Sequence, residues 1–198
     1  MAYGFSALLA RMSYINRWGL MRGGRYETLS EHSLSVASTA HLLACIANAE
    51  YGAGVRPEKV ACCAMYHDAS EILTGDLPTP VKYKNESIRA EYKRIEREAE
   101  QTIAAMLPPS VRGELGSYVT GEALTQRERR IIKSADKLSA LVKCIEEENG
   151  GNKEFESAKR STLAWLADDP LPETRYFIEH CVPAYSLTLD ELLASAEK

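Results

Sequence analysis

A histidine followed directly by an aspartate, with a glutamate three residues further on, places one imidazole and two carboxylates within about one helical turn: His67, Asp68 and Glu71. At that spacing all three side chains can face one pocket. The preceding run, Val60-Ala61-Cys62-Cys63-Ala64-Met65, is apolar. Such a cluster is costly there unless a cation sits in it, or unless the helix simply ends in solvated polar groups. This segment alone leaves both readings open. His32 poses a similar choice: with Val36, Ala40, Leu43 and Ala47 it forms a row at steps of three and four, so it heads a core-facing stripe. A histidine so placed is either hydrogen-bonded in the core or a metal ligand. His41 falls on the flank of the same stretch. Asp136 has Ile132 and Ala140 as its i−4 and i+4 neighbours, which turns it toward the packed side. Aspartate has poor helix propensity and needs a counter-charge when buried. Either a salt bridge to Lys133 or Lys137, or a bound cation, answers that need.

The elements that must position these groups are helical. Apolar residues recur at three- and four-residue steps almost throughout, and no useful length shows the period-two alternation of a strand. The fold class expected is all-α. A short helix is predicted over Phe5 to Ile15, followed by an irregular segment, Asn16 to Leu29, broken by Gly19, Gly23 and Gly24. Ser30 opens a long helix to about Ala49, ended by Gly52 and Gly54. Pro57 suits a first helical turn, and the helix it starts is predicted to reach about Leu73. Gly75-Asp76-Leu77-Pro78-Thr79-Pro80 then reads as a loop, stiffened because two prolines fix φ and restrict their predecessors. Stiff polar loops suit ligand contacts. Helices follow from about Glu86 to Met106 and near Val111 to Val119. Thr125 and Glu128 form a capping box for a helix carrying Asp136 and ending near Gly150-Gly151. Further helices are predicted near Lys153 to Ala167, Glu173 to Cys181 and Leu189 to Glu197.

Composition narrows the partners. The 198 residues suit one domain, with 24 Lys plus Arg against 28 Asp plus Glu and no basic block that would mark a phosphate-backbone footprint. A nucleic-acid polymer is therefore not an expected partner. The longest apolar stretches, such as Leu42 to Ala47, are far shorter than the roughly 20 residues of a membrane span, and Met1 to Ala10 lacks a signal-peptide pattern. A cytoplasmic location, away from membranes, is expected. Five cysteines without a C-x-x-C pair suit neither a disulfide framework nor a zinc finger, and read as reduced thiols packed as small apolar groups.

Taken in order, His32, His67-Asp68 and Asp136 resemble the H…HD…D pattern of the HD-domain phosphohydrolases. The resemblance sharpens at Ile15-Asn16-Arg17-Trp18, Ser30-Glu31-His32-Ser33-Leu34, Met65-Tyr66-His67-Asp68-Ala69-Ser70-Glu71 and Thr74-Gly75-Asp76-Leu77-Pro78-Thr79-Pro80-Val81-Lys82. These segments are similar to those of the bacterial 5′-deoxynucleotidases, in one register from about residue 5 to about residue 190. The resemblance implies one HD-domain helical bundle over residues 1–198, with a motif-bearing core of about 28–142. It also implies a homodimeric enzyme that hydrolyses deoxyribonucleoside 5′-monophosphates with one divalent metal ion per chain.

The metal ligands implied are His32, His67, Asp68 and Asp136, a mixed nitrogen and oxygen set suited to cobalt, manganese, iron or zinc. Glu71 would orient or deprotonate the attacking water, and Asp76 would deliver a proton to the leaving 5′ oxygen. Arg17 would fork two N–H donors to the phosphate and Trp18 would wall the sugar or base. Substrate contacts are expected from Arg17, Trp18, His32, Asp68, Asp76, Leu77, Pro78, Thr79 and Asp136. No histidine lies between His67 and Asp136, which favours one metal over the two of larger HD enzymes. The alternatives are an HD hydrolase of a nucleoside triphosphate or alarmone, and a nucleotide-binding HD module without turnover.

Overall fold

The computed structural model describes residues 2–82 and 84–195, without the side chain of Thr79. Two long helices carry the architecture. α2 (Leu29–Tyr51) opens with a capping box: the Glu31 N–H donates to Thr28 Oγ1 at 3.3 Å, and the Thr28 N–H donates to Glu31 Oε2 at 2.8 Å. Reciprocal bonds of this kind satisfy two otherwise orphaned donors, so the helix begins at Leu29 and the cap is Thr28 rather than Ser30. Its far end is closed by Gly52 at φ 60°, a left-handed conformation that glycine adopts without penalty. α8 (Gln126–Asn149) starts at the predicted Thr125–Glu128 box.

α2 and α8 pack against each other and share the main core with α3 (Pro57–Ala64). Val36, Ala40, Leu43 and Ala47 of α2 are fully buried, as the row headed by His32 requires, and the first three share a core with Ile131, Ala135, Leu138 and Leu141 of α8. α9 (Glu156–Ala167) and α10 (Pro172–His180) close the same core with Leu166 and Phe177. Truncating a fully buried residue such as Leu43 to alanine costs about 2–5 kcal/mol. A smaller core lies on the other side of the His67–Asp68 segment. There α1 (Phe5–Leu9), α6 (Glu86–Ala105) and α7 (Pro109–Val119) bury Phe5, Ala69, Ile103, Leu107 and Val119 together. The chain ends in the exposed α11 (Leu189–Ser195). No helix among the described residues is long and apolar enough to cross a membrane.

Three expectations are corrected. The helix from Pro57 stops at Ala64, and residues 65–70 run as tight turns before α4 (Glu71–Thr74). The turns are closed by three-residue hydrogen bonds, His67 N–H to Ala64 O at 3.3 Å and Glu71 N–H to Asp68 O at 3.0 Å. Winding at three residues per turn overrides the helical pattern and sets His67 and Asp68 in a compact bend. The stiff loop is also shorter than predicted, because Val81 and Lys82 donate to Pro78 O and begin α5 (Thr79–Lys82). The first helix likewise tightens to 3-10 geometry over Ala10–Tyr14. Among the cysteines, Cys63 and Cys144 are buried as small apolar groups, whereas Cys45 is exposed.

Candidate active site

His32 comes from the first turns of α2, His67 and Asp68 from the bend after α3, and Asp136 from the middle of α8. Ligand-capable atoms of His32, His67 and Asp68 lie within 4.8 Å of one another. Asp68 Oδ2 is 3.1 Å from His67 Nε2 and 3.6 Å from His32 Nε2, while Asp136 Oδ1 lies 3.4 Å from His32 Nε2. The four implied ligands therefore converge from three separate elements.

The imidazoles show what the cluster is built to hold. His67 Nδ1 is 2.8 Å from the Ala64 carbonyl, which can only accept, so Nδ1 carries the proton. Its Nε2 is left facing the carboxylates. His32 is arranged alike: Nδ1 meets Ser139 Oγ at 3.3 Å, with Glu27 Oε1 at 3.7 Å behind it. Both Nε2 atoms are buried without a hydrogen-bond partner. Two buried, unpartnered ring nitrogens aimed between two carboxylates fit a divalent cation, with the partners at Nδ1 orienting each ring. His32 is only 1% exposed, which fixes that orientation further.

The charges agree. Burial works to raise the pKa of Asp68, but His67 and then Arg17 hold it well below the carboxylate range. Burial opposes ionisation of Asp136 as well, and Lys133 with His32 holds that carboxyl down. His67 is pushed up, against its burial, by Asp68 and Asp136. The carboxylates thus favour positive charge at the His67 ring, for which a proton and a metal ion compete. Glu71 differs: burial, then Asp68 and Asp76, raise it to about 8, so it holds a proton at neutral pH until a cation offsets those charges.

Above the cluster opens a cleft of about 410 Å³. Arg17, Trp18, Asp68, Glu71, Asp76, Leu77, Pro78 and Asp136 all line it. His32 and His67 are not among the lining residues and lie beneath its floor, and the Thr79 side chain lies outside the described residues. Arg17 donates to Asp68 Oδ2 at 3.1 Å, and its guanidinium is held charged, against burial, by Asp68, Asp136, Asp76 and Glu27. The Arg17 Nε is buried without a hydrogen-bond partner. A charged, partly unsatisfied guanidinium at the edge of such a cleft suits a phosphate. Trp18 adopts φ 59°, a left-handed conformation that costs a side-chain-bearing residue about 1–2 kcal/mol. It is kept there by its Nε1–H bond to Glu27 Oε2 at 2.9 Å and by Phe155, whose ring centroid is 5.2 Å away.

Sequence reasoning missed Glu27 and Ser139, and weighed Lys137 only as a possible ion-pair partner of Asp136. Glu27 stands directly before the Thr28 cap, and placing the helix start at Ser30 hid it; its link to Trp18 runs through the Asn16–Thr28 bridge, which no local spacing announces. Of the two lysines flanking Asp136, Lys133 makes the ion pair at 2.7 Å. Lys137 lines the cleft and has no carboxylate within 4.0 Å among the described residues.

Comparison with known proteins places this geometry in a family. Residues 4–185 match the family described as 5′-deoxynucleotidase YfbR-like. A Vibrio vulnificus protein named 5′-deoxynucleotidase VV1113 is 47% identical over 188 residues, covering 95% of this chain and 97% of that protein. An Escherichia coli protein named 5′-deoxynucleotidase YfbR is 48% identical over the same length, covering 95% and 94%. Among solved structures, an HD-domain phosphohydrolase from Listeria innocua superposes with a TM-score of 0.78 at 22% identity, over 96% of this chain and 95% of that one. The cyanophage S-2L HD phosphohydrolase DatZ superposes with a TM-score of 0.64 at 19% identity, over 90% and 96%. These two likenesses are of fold: an all-α HD-domain bundle. With the match over most of its length and near-half identity to named relatives, the chain belongs to the YfbR-like 5′-deoxynucleotidase family.

Proposed function

We propose that the protein is a metal-dependent 5′-deoxynucleotidase that hydrolyses deoxyribonucleoside 5′-monophosphates to deoxynucleoside and phosphate. The observation that carries this reading is the pair of buried, unpartnered Nε2 atoms of His32 and His67 facing Asp68 and Asp136 beneath an Arg17-lined cleft. His32, His67, Asp68 and Asp136 would hold one divalent ion per chain, with cobalt, manganese, iron and zinc the ions their donor atoms suit. That ion, when bound, supplies Lewis-acid polarisation of the phosphoryl group and acidifies water. The names of the relatives support the substrate class, and the DatZ structure, described as bound to dA and one catalytic Zn2+, supports zinc as one of the four.

The chain's own residues then divide the work. Arg17 grips two phosphate oxygens and fixes the phosphorus against the cluster. Glu71, at the cleft wall, orients the attacking water and takes its proton as the new P–O bond forms. Asp76 supplies a proton to the 5′ oxygen as the old P–O bond breaks, so that neutral alcohol leaves. Leu77 and Pro78 continue the Asp76 wall along the substrate, and Trp18 presents its ring to the sugar. The protein works as one HD domain, as a homodimer in the cytoplasm, on a small nucleotide rather than a nucleic-acid polymer.

Release of inorganic phosphate from deoxy- and ribonucleoside mono-, di- and triphosphates, by protein reloaded with each metal, tests the reading. Turnover of deoxy monophosphates well above the rest is the expected result. Preference for triphosphates would replace the substrate, and tight nucleotide binding without any release would make the protein a binding module. Sedimentation of the purified protein tests the dimer.

A further inference from the structure

One carboxylate joins three parts of this site that come from different places in the chain. Glu27 Oε2 accepts from Trp18 Nε1 at 2.9 Å and lies 3.6 Å from Arg17 Nε, while its Oε1 lies 3.7 Å from His32 Nδ1. Its side chain is largely buried, at 15% exposure. The backbone holds it in register with the residues it touches: the Arg17 N–H donates to Glu27 O at 2.9 Å, and the Leu29 N–H to Ile15 O at 2.8 Å, on either side of the Asn16–Thr28 bridge. Residues 16–18 and 27–28 thus form a short two-ply strap beside the N-terminus of α2, with Arg17 and Trp18 lining the cleft.

The strap would not keep its shape unaided. Trp18 is in a left-handed conformation, and the neighbouring residues 19–25 include three glycines and no helix or strand. A strained residue persists only when its surroundings over-determine it. Phe155 restrains the indole from one side, and Glu27 restrains its polar edge. Arg17 shares the same carboxylate, so the phosphate grip and the aromatic wall are fixed with respect to each other and to the His32 ring.

We infer that Glu27 is the positioning residue that sets deoxy-over-ribo discrimination, by locking the Trp18 ring relative to Arg17 and the ligand cluster. This rests on the deoxynucleotidase reading above. An apolar surface rejects an added hydroxyl weakly unless a rigid group occupies its space. A phosphate held by Arg17 fixes where the sugar lies, so the rejection is only as strong as the indole is immobile. Glu27 makes no contact with the water or the leaving oxygen in this scheme; its effect on the reaction passes through Trp18 and Arg17.

The test uses Glu27→Ala and Glu27→Gln in the full-length, metal-loaded protein, each also made with Trp165→Phe so that Trp18 is the sole tryptophan. In Glu27→Ala the ratio of deoxy to ribo kcat/KM should fall by roughly tenfold, mainly because ribonucleotides improve, while metal content stays at one per chain. Acrylamide quenching of Trp18 should rise in step. Glu27→Gln keeps an acceptor for the indole N–H and should restore the ratio and the quenching, while still raising KM through the lost charge beside Arg17. An unchanged ratio with unchanged quenching in folded Glu27→Ala, or a fall in the ratio in folded Glu27→Gln as large as that in Glu27→Ala, overturns the assignment. A uniform loss of activity with an unchanged ratio would make Glu27 structural only and also overturns it. If the unmodified enzyme releases no phosphate from any deoxynucleotide, the functional reading fails, and the fluorescence result still decides whether Glu27 immobilises Trp18.

Discussion

Two acidic networks meet at helix α8, one centred on Asp169 and one on Asp136, and they are finished differently. Toward its N-terminal half, Asp169 packs against the helix with every oxygen engaged: Arg130 Nε donates to Oδ1 at 2.9 Å, Thr174 Oγ1 donates to Oδ2 at 2.8 Å, and Ser134 Oγ also donates to Oδ2. Two residues beyond Ser134, Asp136 meets His32 in a cluster whose histidine Nε2 atoms have no hydrogen-bond partner. Buried polar groups cost free energy unless they are paired, so a fully satisfied network is explained by folding alone. An unsatisfied one is not. The difference separates an internal brace from a cluster whose donor atoms suit a ligand, though both are acidic and packed against one helix.

Substitutions should break the two regions in opposite ways. His67→Ala has the largest expected effect, because it removes a ligand and opens the cluster: metal content and phosphate release should both fall to background, while thermal unfolding of the metal-free protein stays near that of the metal-free parent. Metal content near one per chain in that variant would take His67 out of the ligand set. Glu71→Ala comes next, with metal and substrate still bound and turnover lowered by roughly two to four orders of magnitude. Loss of the ion in Glu71→Ala would make it a ligand instead.

Asp169→Ala should do the reverse. Leaving the Ser134 and Thr174 hydroxyls and Arg130 without their acceptor costs about 1–3 kcal/mol, and for a chain of this size each kcal/mol lowers Tm by about 2–4 °C. The kcat of the folded fraction should stay as it was. A large drop in kcat at unchanged Tm would erase the distinction between the regions.

The smallest expected effect is a pH dependence at Glu147, a third buried carboxylate and a satisfied one. It accepts from Lys143 Nζ at 2.6 Å, the Gly24 N–H at 2.7 Å and Asn152 Nδ2 at 2.7 Å, and these bonds hold its pKa down to about 2 despite burial. A depressed carboxylate stabilises the fold above its unfolded pKa, roughly 4.3, and that contribution is lost as pH falls toward 2. The stability gap between the parent and Glu147→Gln, from urea melts, should therefore be constant above about pH 5 and close between roughly pH 4.5 and 2. A gap that widens on acidification would contradict the sign.

Legibility in the sequence followed the range of the interaction. The α2 row from His32 to Ala47 and the Thr125–Glu128 box are governed by neighbours within one or two turns, and both appear as the spacing requires. The order His32, His67-Asp68, Asp136 was visible too, since each sits on or beside an apolar run. The break after Ala64 was not. Residues 57–74 carry a helical pattern, and the chain abandons it because packing of Ala69 and Tyr66 against Phe5 and the α6–α7 pair favours the tighter bend. Glu27 was equally hidden: its partners Trp18 and His32 are 9 and 5 residues away on different elements, brought together by a two-residue bridge. Long-range pairing of this kind leaves no period to read.

Metal titration of the stripped protein, followed by phosphate release from a deoxyribonucleoside 5′-monophosphate, tests the central claim most directly. The arrangement of His32, His67, Asp68 and Asp136 around buried ring nitrogens requires that the stripped protein be inactive and that activity rise linearly with added ion to a break at one per chain. Full phosphate release from the stripped protein, or a break at two ions per chain, would contradict it.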